Sequence, residues 1–300
     1  MLRLATVQST LAALIALNLA VASAAAPVIG TVKADGQFRI DNSAVRSNAT
    51  LFEGSLVETG SAVSKMDLVG GARITLGASS KGRFFGDRLV LEKGIGQMDQ
   101  AENFRFETRG LTIQPETQKS SARVALAGAA RVEVAALTGS FRVLNERGVL
   151  VANIAAGRSM EFEQQPASTP SKLAGCLVMR GVHFVLTDET TNVVVELGGP
   201  GLEKEKGNRV EITGSMDPSA TPVSDASQFI RVATVKRLGK GCVGSGAAAA
   251  AGAGGGAAGG AAISTTTIAI IGGVAAAATV GGLAAAGKLT SSSGSSSISR

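Results

Sequence analysis

The sequence has no tryptophan and no tyrosine, only one histidine, two cysteines and ten phenylalanines in 300 residues. Each scarcity removes a class of function. Proteins that hold single-stranded nucleic acid stack bases on aromatic side chains. With phenylalanine alone to supply rings, such a platform is disfavoured, although the net charge of +6 permits attraction to phosphate. The basic residues are scattered among acidic ones, as in "GLEKEKGNR", which is the pattern of a solvated surface.

The lone His183 stands in the strand-like stretch "VHFVL", and the acidic pair that follows lies in "TDETTN", a turn signature. Triad chemistry needs a histidine held between a nucleophile and an acid. His183 therefore reads as a structural or edge residue, and no catalytic residue is assigned. No Cys-x-x-Cys or histidine-rich spacing points to zinc. "DPSATPVSD", residues 217–225, offers oxygens but lacks the calcium-loop spacing and reads as a loop. The glycine-rich segment "LFEGSLVETGSAVSKMDLVGGARITLGASSKGRFF" has neither a Walker nor a dinucleotide-binding spacing. No metal and no cofactor are expected.

The two ends are nearly uncharged and rich in alanine. The first begins with Arg3, continues through an apolar stretch at residues 11–22 and reaches the small-residue site "ASA". That run is shorter than the ~20 residues of a membrane span, so residues 1–24 read as a secretory signal peptide, with an uncleaved anchor as the alternative. In an exported chain two cysteines suggest a bridge, so Cys176 and Cys242 are expected to form a disulfide.

From residue 27 to 162 the pattern has period two. "VIGTVKADGQFRID" alternates apolar and polar residues, and so do "GARITLG", "DRLVLEKG", "ARVEVAALTG" and "SFRVLNERGVLVANI". Gly, Asn and Asp punctuate these runs at short intervals, as in an all-β sandwich or solenoid. Gly54, Gly60, Gly70, Gly71, Gly77 and Gly82 are expected at turns, with Gly70-Gly71 closing a hairpin.

The ordered series "GSLVETGSAVS", "GGARITLGASS", "LVLEKG" and "GSFRVLNERGVLVANIAAG" resembles the FecR domain over roughly residues 28–162. The resemblance implies an exported β-rich module, a small solenoid or sandwich, which in the best-known relatives senses an outer-membrane receptor from the periplasm. Those relatives carry a cytoplasmic anti-sigma segment before a membrane helix. Here a signal-peptide-like stretch stands in that place, so what the resemblance implies is an envelope interaction module.

Residues 163–172, with two prolines, read as a linker. Residues 173–243 show five further strand patterns bracketed by Cys176 and Cys242, which suit a small OB-like barrel. Its middle strands carry no aromatics, which again disfavours nucleic acid. Residues 244–265 are an Ala/Gly-rich linker, and residues 288–300 are a serine-rich tail after Lys288. Between them, the uncharged residues 266–287 match the length of a transmembrane helix, with an exported association tail as the alternative. The expected protein is all-β, a FecR-like domain plus an OB-like barrel, with a signal helix before them and an apolar helix after them. Its expected work is non-catalytic binding of an envelope protein or polymer in the periplasm. The alternative is a sensor coupled to a membrane partner through residues 266–287.

Overall fold

The computed structural model describes residues 26–34, 36–101, 103–165, 170–242, 264–271 and 274–278. The signal peptide expected at residues 1–24 lies outside them. The described chain is all-β; its one helical turn is the 3-10 segment Glu203–Glu205.

The first region weaves between two sheets. β1 (Val28–Ala34) enters the first sheet, and β2 (Phe38–Ile40) and β3 (Ser43–Val45) form in the second. β4 (Asn48–Phe52) returns to the first and β5 (Leu56–Thr59) crosses to the second. The alternation continues with β6 (Ser64–Leu68) and β7 (Arg73–Leu76) in the first, then β8 (Lys81–Phe84) and β9 (Arg88–Lys93) in the second. β10 (Ile95–Ala101) precedes β11 (Arg105–Thr108) and β12 (Leu111–Pro115); β13 (Ser120–Ala127) and β14 (Arg131–Thr138) precede β15 (Phe141–Asn145) and β16 (Leu150–Ile154). β17 (Arg158–Gln165) ends the weave in the first sheet.

Each crossing turns one apolar face inward. β6 alternates buried and exposed residues throughout, and β11 and β15 place Phe106, Phe141 and Val143 against the opposite sheet. Five phenylalanines, Phe38, Phe84, Phe106, Phe141 and Phe162, lie fully buried along this core. Half of the aromatic supply thus goes into packing.

The turns show where glycine is needed. Gly71 has φ +85° and closes the β6–β7 hairpin, donating its N–H to Leu68 O at 2.9 Å, as expected. Gly54 also has positive φ, whereas Gly60, Gly70, Gly77 and Gly82 do not. Gly82 corrects the expectation: it lies inside β8, where a Cβ would stand 2.6 Å from the Leu89 side chain. A close approach between strands, not a turn, demands glycine there.

A closed barrel follows, built from β18 (Ser171–Arg180), β19 (His183–Asp188), β20 (Val194–Gly198), β21 (Arg209–Met216) and β22 (Phe229–Gly239). Its strand order is β18-β19-β20-β22-β21, closed by β18 against β21, with β20 and β22 parallel. It has its own core of Leu177, Leu186, Val195, Val210, Ile212 and Ile230. Cys176 and Cys242 are disulfide-bonded with Cα atoms 5.5 Å apart. The connection between sandwich and barrel is shorter than residues 163–172, because β17 runs on to Gln165 and β18 starts at Ser171.

The helix expected over residues 266–287 is corrected within the described residues. β23 (Ser264–Ile271) and β24 (Val274–Ala278) are strands that extend the first sheet beyond β17. No helix among the described residues is long and apolar enough to cross a membrane. The local chemistry explains the difference. Thr265, Thr266, Thr267, Ile268, Ile270, Ile271 and Val274 are β-branched and lose χ1 freedom in a helix. The edge of β17 meanwhile offers unpaired backbone groups to an extended segment.

Two outcomes check this architecture. Phe106→Ala should lower the urea-unfolding free energy of the sandwich by about 3–5 kcal/mol, the usual cost of emptying a closed aromatic site. Cys242→Ser should destabilise the barrel by up to about 4 kcal/mol, read as a lower melting temperature that reducing agent reproduces in the parent protein.

Candidate functional site

Three places on the molecule combine position with chemistry. The first is the mouth of the barrel. Glu196 interrupts the apolar run of β20, yet it is only 6% exposed. Its Oε1 meets His183 Nδ1 at 2.7 Å, and its Oε2 accepts the Val223 N–H at 2.8 Å. Its own N–H donates to Gln228 O at 2.9 Å. One buried carboxylate thus fastens residues 217–228 across the barrel and orients an imidazole that is 45% exposed.

Asp217 and Asp225, considered above as oxygen donors, are engaged with Arg231 and Arg180. Asp217 also accepts from Ser219 N–H and Oγ–H. The serine and Arg231 together hold its carboxyl down to about 2, against an ordinary 3.8. No group of residues suited to a metal ion occurs among the described residues. Nor does a hydroxyl, thiol or second carboxylate bond His183 Nε2 among them. Glu196 joins His183 to the loop at Val223.

Asp188 plays the same part at the other side of the barrel. It is fully buried and accepts from Thr191 N–H, Thr191 Oγ–H and Ala174 N–H at 2.8–3.0 Å. Burial pushes its carboxyl above the usual range, and these donors pull against that shift. "TDETTN" is thus a turn closed by its own aspartate. Its carbonyls at Thr191 and Asn192 accept the backbone and side-chain N–H groups of Asn153 in β16, at 2.8 and 2.9 Å. The barrel docks on the sandwich there, and Leu150 packs against the barrel core.

The second place is an open groove of about 400 Å³ lined by Val90, Glu107, Arg109, Thr112 and Glu146 among others. Two of its charges, Arg109 and Glu107, are already used. Arg109 donates to the Arg131 and Gly128 carbonyls at 2.7 and 2.6 Å. Glu107 joins Arg88, Arg105 and Asp87 in a four-residue ladder across the parallel strands β9 and β11. Arg88 and Arg105 stand opposite each other there, and the two carboxylates offset their repulsion.

The third place is the end of the first sheet, where backbone chemistry dominates. β17 pairs on one side with β14, from Arg131↔Glu163 to Ala136↔Arg158. On its other side β23 runs parallel to it, in register from Arg158↔Ser264 to Gln165↔Ile271 without a slip. β24 then folds back antiparallel on β23 and passes beside β18 of the barrel and β16. The β23–β24 hairpin therefore fills the junction between sandwich and barrel. The disulfide joins Cys176 of β18 to Cys242 just past β22, and His183 begins β19.

Neither Glu196 nor the β17 edge was visible as a site in the sequence. The available signal for Glu196 was a single charge inside "VVVELGG". For the edge it was the β-branched run "STTTIAII", which looks equally like a helix of apolar residues.

No protein-family model matches this chain, and no curated protein matches it.

Lowering the pH tests the loop anchor. The Asp217 carboxyl lies below its ordinary 3.8, so its contribution is complete above about pH 4 and is lost as pH falls toward about 2. Asp217→Asn should flatten that part of the stability–pH curve while leaving its neutral-to-alkaline shape unchanged, as measured by thermal melts across the range.

Proposed function

We propose that this chain is a non-catalytic interaction module of the bacterial cell envelope, exported to the periplasm, which binds a protein or an envelope polymer through strand edges and loops. The observation that carries this reading is the edge of β17, which takes an extended segment in parallel register over its whole length. Strand addition of this kind draws affinity from main-chain hydrogen bonds, so it needs neither a pocket nor a catalytic side chain.

Two further features support it. The Cys176–Cys242 bond suits an oxidising compartment. The barrel order, with its third and fifth strands parallel, suits an OB-like barrel, and the two-sheet weave suits the FecR-like motif order. The sensor alternative relied on a membrane helix at residues 266–287. Strands occupy residues 264–271 and 274–278, so that alternative is not advanced.

A chain ending at residue 246 tests the reading, because it lacks the hairpin. A synthetic peptide of residues 262–279 should bind this shortened chain in fluorescence anisotropy. The same peptide with Thr266→Pro and Thr267→Pro should not bind. Successive N–H groups of a strand point to opposite sides, so the double change removes one ladder donor facing β17 whichever the phase. A parent peptide that shows no binding overturns the strand-addition reading.

A further inference from the structure

We propose that the β23–β24 hairpin is an exchangeable strand donor: the hairpin of one copy seats on β17 of a second copy, so the chain associates head to tail. This inference rests on the strand-addition reading above and names the partner.

The acceptor persists without the donor. β17 is held from its other side by β14, and its Met160 and Phe162 lie in the sandwich core at 4% and 1% exposure. Losing the hairpin therefore exposes an edge and leaves the strand formed. An edge that stays formed and unpaired is a template for another chain.

The donor is suited to leave and to re-seat. Residues 264–278 contain no Asp, Glu, Lys, Arg or Pro, so none of the usual edge-blocking residues is present. Its link to the sandwich is a parallel ladder, slightly weaker per residue than an antiparallel one. An identical strand from another copy carries the same sequence, so it satisfies the register along β17 equally.

The connection permits both arrangements. Twenty-one residues, 243–263, separate Cys242 from Ser264, and eighteen of them are Gly or Ala. At about 3.3–3.6 Å per residue their contour reaches roughly 70 Å, more than enough to leave the parent molecule. A tether of this kind raises the local donor concentration only to the millimolar range. Seating in cis and in trans therefore compete, and concentration decides between them. Exchange of this kind is heterologous, because donor and acceptor are different surfaces. It closes into a ring or continues as a chain.

The test uses the full-length protein and the register itself. Glu163 faces Ala269 across the ladder, and Glu163 is 40% exposed beside Arg131. One variant carries Glu163→Cys, a second carries Ala269→Cys, and a third carries both. The double variant, oxidised alone and dilute, should form a bond within one chain, which reports the register. An equal mixture of the two single variants should form a mixed disulfide dimer, and its yield should rise with protein concentration toward the millimolar range. A double variant that closes while the mixture stays monomeric at every concentration overturns the exchange and leaves the strand-addition reading standing. If neither cross-link forms, both fall. Adding Thr266→Pro and Thr267→Pro to the Ala269→Cys variant should abolish the mixed dimer; a dimer that survives it arises from random collision and overturns the exchange.

Discussion

The whole molecule depends on the need of one-faced sheets to cover each other. Strands such as β6, β11 and β15 bury every second residue, so each sheet has one face that water disfavours. The chain solves this by crossing between the sheets after every one or two strands, so that both grow together around one continuous core. The strands stay short while the sheets become long. A long sheet of this kind can be extended strand by strand, but somewhere it has to stop.

The problem then moves to the ends, where backbone groups lack partners. At the far end of the weave two different devices act. The second sheet ends at β16, where the barrel docks and the Asp188 turn offers its carbonyls to Asn153. The first sheet ends at β17, where no part of the barrel pairs, and a hairpin from beyond the barrel fills the gap. One edge is thus covered by a rigid domain tied to the sandwich over a few residues, and the other by a segment on a long Gly/Ala connection. The difference in attachment is why the second edge is the one proposed to bind a partner.

The strands of both domains were legible in the sequence because their signal is local. The alternation in "ARVEVAALTG" and the pair Gly70-Gly71 are each contained within a few residues, and β14 and the β6–β7 hairpin formed where they stood. The five barrel strands were legible for the same reason. What failed was whatever depends on a distant partner. Gly82 looks like any turn glycine until Leu89 is placed beside it. Residues 266–287 have the length and lack of charge of a membrane helix, and only the free edge of β17, about a hundred residues earlier, turns part of them into strands. Glu196 likewise gains meaning from His183 and Val223, which lie on different elements.

The disulfide fits the same division between rigid and exchangeable parts. A five-stranded barrel of this size buries a modest core and gains from a covalent staple. Cys242 lies just past the end of β22, at the point where the chain leaves the barrel toward the hairpin, and it is bonded back to Cys176 in β18. β22 is paired on both sides, by β20 and β21, but without the bond a pull on the tail would act on that strand alone. With the bond in place, load arriving through residues 243–263 is shared with β18, which is paired by β19 and β21. The hairpin can therefore be seated, released or held by another molecule while the barrel that anchors it stays closed.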